Sequence, residues 1–127
     1  MKEEARKLLA KAERALHAAE TLVGDGDFEF AAGRAYYAML HAAQALLREH
    51  DLRYRRHAGV HGAFGERFAK AGRLDPKYHR WLLDAFDDRL RGDYDVDASF
   101  DRGNVNKRIE QAREFLAAAK VYLESRA

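Results

Sequence analysis

Residues 28–50 read FEFAAGRAYYAMLHAAQALLREH. Beyond Gly33 the stretch holds no Gly or Pro, and it predicts one long helix. Phe28, Phe30, Ala31, Ala35, Tyr36, Ala38, Met39, Ala42, Ala43, Ala45 and Leu46 cover most of its circumference. A helix that is apolar nearly all round is a buried one. The exceptions gather together. At 100° per residue, Arg34, Tyr37, His41, Gln44 and Arg48 fall in a stripe about 80° wide. The central helix is therefore expected to carry one narrow polar seam. The seam is either the solvated side of a core helix or the wall of a cleft or subunit interface, and the stretch alone supports both.

The segments on either side are helical too. Upstream, Ala5, Leu8, Leu9, Ala12, Ala15, Leu16, Ala19, Leu22 and Val23 follow the i, i+3, i+4, i+7 rule of an amphipathic helix over residues 3–23. GDGD at 24–27 ends it, with Gly as a stop and Asp27 as N-cap of the next helix. So short a connection makes the two helices antiparallel neighbours. Downstream, residues 51–59 are polar and basic and read as a loop that includes His57. A third helix is expected over residues 59–71, with Val60, Phe64 and Phe68 inward, although Gly62 and Gly65 cost it about 1 kcal/mol each against Ala. Asp75-Pro76 predicts the cap and first residue of a fourth helix. Its inner face is Tyr78, Trp81, Leu82, Ala85 and Phe86, and it ends near Arg91. Residues 92–103, GDYDVDASFDRG, have no helical period and read as an irregular, acidic loop. Val105, Ile109, Ala112, Leu116, Ala119 and Leu123 place a last helix between Asp101 or Asn104 and Ser125.

The prediction is an all-α, antiparallel bundle of about five helices in a single domain over residues 1–127. Composition agrees. In 127 residues, 47% are apolar and 35% charged, the balance of a globular chain rather than a disordered one. With no Cys there is no disulfide or thiolate chemistry, which fits a cytoplasmic protein. No apolar run approaches the ~20 residues of a membrane span, so no membrane partner is expected. A net charge of +2 makes no case for nucleic acid by itself, but Arg53, Arg55 and Arg56 cluster, as do Arg89 and Arg91.

Chemistry read from spacing is sparse. His57 and His61 stand four apart in HAGVH, without the glutamate of the zinc-protease motif, and with no Cys available no metal or cofactor site is expected. There is no phosphate-cradling loop after a strand. Asp93 and Asp95 flank Tyr94 beside Arg89 and Arg91, a pattern that reads first as local charge balance.

Three words in order, RAYYAMLHAAQALL at 34–47, RRHAGVHGAFGERF at 55–68 and RLRGDYD at 89–95, followed by an amphipathic helix, resemble the HEPN domain family. The resemblance implies an antiparallel helical bundle that works as a homodimer. It also implies a partner, a small nucleotidyltransferase with which many such proteins form a toxin–antitoxin pair. Active members are metal-independent ribonucleases. They carry Arg, then four to six residues, then His at the end of a late helix, and the two copies meet in one RNA-binding cleft. Carried onto this chain, the Arg is Arg89, but Tyr94 stands where the His is expected. A phenol with an ordinary pKa near 10 is a poor base at neutral pH, so the resemblance leaves nuclease activity open. The tyrosine that the partner enzyme modifies in some members corresponds here to Val96. The Arg-to-His spacing recurs at Arg34–His41, Arg55–His61, Arg56–His61 and Arg73–His79, of which only the first lies on the seam. The site expected from these readings joins Arg34, Tyr37 and His41 to Arg89, Arg91, Asp93 and Tyr94, with His57 as a substitute proton carrier and RNA or a nucleotide as ligand. A module that only docks the nucleotidyltransferase is the remaining alternative.

Overall fold

The structure, a computed structural model, describes residues 1–126. Five helices follow one another: α1 (Glu3–Gly24), α2 (Phe28–Glu49), α3 (His57–Phe64), α4 (Lys77–Tyr94) and α5 (Arg102–Glu124), with a π-helical turn (Gly65–Ala69) continuing α3. Among the described residues there is no strand, and no helix is long and apolar enough to cross a membrane.

The predicted caps operate. Gly26 takes φ +79°, the left-handed conformation that Gly reaches without strain. Its N–H meets the Val23 carbonyl while the N–H of Asp27 meets that of Leu22 at 2.9 Å, the paired bonds of a Schellman stop. The Asp27 side chain then accepts from the N–H of Phe30 and starts α2. At the other end of the bundle, Arg48 of α2 meets Glu4 of α1, so the two helices are antiparallel along their whole length.

α2 is the axis of the molecule and packs against each of the other four helices. Its many alanines let the neighbouring helices approach closely. Ala35, Ala38, Ala42, Ala43 and Ala45 have no solvent exposure. α5 runs parallel to α2: Val105 and Ile109 pack beside Ala32 and Ala35 near the start of both helices, and His50 meets Tyr122 near their ends. α1 and α4 run the opposite way. Arg113 of α5 pairs with Glu20 of α1 at 3.1 Å, and Arg108 of α5 pairs with Asp88 of α4 at 2.6 Å. The aromatic core lies between α3 and α5, where Phe64 stacks on Phe68 at 5.6 Å and on Phe115 at 5.3 Å. Burial of each such ring is worth about 1.5–3 kcal/mol.

Several boundaries differ from the sequence reading. α3 begins at His57 rather than Gly59, so His57 sits in the first helical turn and not in a loop. After Phe64 the backbone widens into the π-turn, where Lys70 N–H reaches the Gly65 carbonyl five residues back at 2.8 Å. The widening ends the helical segment at Ala69, short of Ala71. Asp75 accepts from Lys77 N–H at 2.9 Å, but the cap position of α4 falls on Pro76 and its first helical residue is Lys77, so both predicted positions are displaced by one. α4 continues past Arg91 to Tyr94, supported by the i, i+4 pair of Arg89 and Asp93. The irregular loop shrinks accordingly to residues 95–101. Phe30, read as part of the apolar surface of α2, is 63% exposed.

Candidate functional site

The seam exists as predicted on α2. Arg34 is exposed, and Tyr37, His41, Gln44 and Arg48 are half-buried between fully buried neighbours. Its lower end is structural: Arg48 is committed to Glu4. Its upper end meets α3 and α4 and forms a cluster of aromatic rings, imidazoles and guanidinium groups.

Tyr36 and Tyr37 anchor this cluster. Tyr36 is completely buried, and its hydroxyl lies 3.1 Å from His57 Nδ1 and 2.8 Å from His61 Nε2. A phenol has one proton, so it donates to one imidazole and accepts from the other. The two histidines share a face because they are four apart on α3. Burial pushes the Tyr36 phenol well above its ordinary pKa and keeps the hydroxyl protonated, with the Tyr37 phenol adding to the shift and Arg89 opposing it. His61 is 6% exposed. Burial, with His57 and His79 beside it, holds its imidazole down to about 4. His57 is only half-buried, and both desolvation and the charge of Arg89 lower its pKa. The His61 carbonyl also accepts from His79 Nε2 at 3.1 Å, which fixes the His79 tautomer.

Tyr37 gathers the charges. The guanidinium carbon of Arg34 stands 4.7 Å from the centre of its ring and that of Arg89 stands 5.0 Å away. These are cation–π distances. The His41 and His57 rings each lie 5.7 Å from the same ring. Arg89 has one carboxylate, Asp93 at 3.4 Å, and its side chain remains 28% exposed. Arg34 forms no ion pair among the described residues. His41 Nδ1 bonds the Gln44 side chain at 2.8 Å. Burial depresses the His41 imidazole, the Gln44 bond opposes that, and Lys11, Arg34 and His57 add to the depression.

The structure thus brings Arg34, Tyr37, His41, His57, Arg89 and Asp93 together. It does not bring Arg91 to them. Two positions along a helix are about 160° apart in direction, and Arg91 instead lies over Phe100, donates to the Ser99 carbonyl at 3.0 Å and approaches Asp88. Tyr94, at the last position of α4, is 84% exposed and about 140° around the helix from Arg89. Tyr36 and His61 were missed by sequence reasoning as members of the site. Tyr36 was counted only as core, and its need for a hydroxyl partner was the available signal. Among the described residues no group of three or more His, Asp or Glu side chains is disposed to hold a metal ion.

An all-helical bundle whose axial helix carries a tyrosine pair, ringed by Arg34 and His41 of that helix, His57 and His61 of α3 and Arg89 of α4, is the class this geometry defines. The chain belongs to the HEPN domain family, whose model matches residues 5–124. It is 31% identical over 125 residues to "Putative toxin MJ0142" of Methanocaldococcus jannaschii, covering 98% of this chain and 85% of that one. It is 34% identical over 124 residues to "UPF0332 protein glr0978" of Gloeobacter violaceus, covering 97% and 98%. A second M. jannaschii protein, "Putative toxin MJ0605", is 36% identical over 97 residues, covering 76% of this chain and 72% of the relative.

Proposed function

We propose that this chain is the toxin-type member of a two-protein system with a small nucleotidyltransferase, and that as a homodimer it binds RNA through phosphates at the Arg34–Tyr37–Arg89 cluster. Two relatives carry the word toxin in their names. The observation that carries the binding site is the pair of guanidinium groups held within 5.0 Å of one ring centre, on two different helices, of which only Arg89 has a carboxylate partner among the described residues. Like charges gathered on rigid helices favour an anion, and guanidinium matches phosphate in a bidentate way. Within one copy Tyr94 and Arg91 point away from this cluster.

The test is fluorescence anisotropy with labelled single-stranded RNA. Affinity should fall steeply with salt, and Arg34→Ala and Arg89→Ala should each lower the slope of log K against log salt by about 0.7. Absence of binding at low salt, or binding unchanged in both variants, would overturn the reading and favour a module that only docks the nucleotidyltransferase.

A second reading, a metal-independent ribonuclease, is favoured by one feature. Arg89 packs on the same two tyrosines as His57 and lowers its pKa, which supplies a neutral imidazole beside a fixed positive charge. In that reading His57 takes the proton from the ribose 2′-hydroxyl, whose oxygen attacks phosphorus. The bond to the 5′-oxygen breaks, that oxygen takes up a proton, and Arg89 stabilises the charge on the phosphorane oxygens. Cleavage in EDTA that both His57→Ala and Arg89→Ala abolish, with Tyr94→Phe unaffected, is the expected result. Cleavage lost in Tyr94→Phe but retained in His57→Ala would assign the proton transfer to the phenol instead.

A further inference from the structure

We infer that the groove between α1 and α2, lined by Lys11, Arg14, Ala15, Ala18, Arg34 and His41, is a second phosphate subsite that holds the RNA backbone as it leaves the Arg89 cluster. The inference rests on the RNA-binding reading and extends it to a helix on which the sequence motifs mark nothing.

Four observations carry it. First, the groove is built and concave, with a volume of about 220 Å³. Lys11, Arg14, Arg34 and His41 line it together, and Ala15 and Ala18 add only methyl groups to its wall. Second, the lining contains three permanent cations and one imidazole and no carboxylate. Lys11, Arg14 and Arg34 form no ion pair among the described residues, whereas many cations elsewhere on the surface do. Third, three of the four acids of α1 are engaged elsewhere. Glu3 pairs with Arg6, Glu4 with Arg48 and Arg53, and Glu20 with Arg113. Glu13 borders the next hollow, with His17 and Arg14. Fourth, the groove is continuous with the cluster, because Arg34 lines it and also stands over Tyr37. The charges of Lys11 and Arg34 reach His41, where they add to the effect of burial.

A single-stranded backbone fits this arrangement. One phosphate at Arg89 and Arg34 and later ones at Arg34, Arg14 and Lys11 would follow one line along the α1–α2 seam. Aromatic contacts lie only at the Tyr37 end, so the groove contributes affinity and direction with little choice of base.

The experiment uses the full chain with oligo(U) of about ten nucleotides and with a dinucleotide as competitor. The double variant Lys11→Ala/Arg14→Ala should weaken the long RNA about tenfold at low salt and lower its salt slope by about 1.4. It should leave dinucleotide affinity unchanged, because the dinucleotide occupies only the Arg89 end. The charge-preserving variant Lys11→Arg/Arg14→Lys should restore long-RNA binding, and Lys120→Ala on α5 should do nothing. Long-RNA affinity that survives Lys11→Ala/Arg14→Ala while falling in Arg89→Ala overturns the groove and leaves the Arg89 site standing. Loss in the α1 variant with none in Arg89→Ala sustains the groove and overturns the site at Arg89. Equal loss in Lys120→Ala would show unspecific charge attraction and overturn the inference.

Discussion

At the scale of the residue, Tyr36 has the largest consequence. Its hydroxyl is the one group that satisfies both His57 Nδ1 and the buried His61 Nε2. Tyr36→Phe keeps the ring and strands two imidazole nitrogens, one of them buried, for which we expect a loss of about 1–3 kcal/mol in urea unfolding. A loss within the error of the measurement would mean that the histidines find other partners. His61 also imposes a pH dependence. Its pKa is about 4 in the fold against an ordinary 6.5. Between those values the unfolded chain takes up a proton that the native chain refuses. Its contribution is therefore complete above the unfolded value and is lost as pH falls toward the folded one, by up to about 1.4 kcal/mol per unit. The depressed His41, His50 and His57 act in the same direction. Unfolding free energy should be lower at about pH 5 than at about pH 7, and His61→Leu should flatten the difference. Greater stability at the lower pH would contradict this. The seam itself was legible, because Arg34, Tyr37 and His41 are set by helical period alone. The Tyr36 network was not, because its partners lie 21 and 25 residues away and no local pattern reports a contact of that range.

The elements show where local signals fail. Gly65 reads as a weak helix residue, and the structure supplies its reason. A Cβ there would lie 2.6 Å from the His79 ring, so the chain needs Gly for α4 to approach the π-turn. Gly65→Ala should cost about 1–3 kcal/mol through overpacking. In the His79→Ala background most of that cost should disappear, a non-additivity that a double-mutant cycle reads directly. Additive losses would place the strain in the backbone instead. The extension of α4 to Tyr94 is a tertiary effect of the same kind. Gly92 leaves room for Glu29 and Phe100, and the Arg89–Asp93 pair spans the final turns. Along this helix Arg91 and Tyr94 lie about 160° and 140° around the axis from Arg89, which points them away from the cluster. The turn between α1 and α2, by contrast, was readable, because Gly26 and Asp27 each act on backbone groups within five residues.

For the whole molecule, element count and order followed from hydrophobic period, while the parallel course of α2 and α5 did not, since it depends on the path taken by α3 and the π-turn. The proposed homodimer belongs to this scale. Light scattering at tens of micromolar should give twice the 14.5 kDa chain mass, and the monomer mass would remove the shared cleft from the proposal.

The short α3 carries a last consequence. Isolated helices below ~12–15 residues are marginal, and α3 has eight before the π-turn. It is held from outside, by the Tyr36 hydroxyl, the Phe64 stack and the His79 bond. Local opening should therefore release α3 while α2 stays closed. Amide hydrogen exchange would then show residues 57–69 trading protons for deuterons well before residues 35–47. Mild warming would retire both histidines from service while the bundle remained folded, so that under the ribonuclease reading cleavage would fade at a temperature where circular dichroism still records an intact protein.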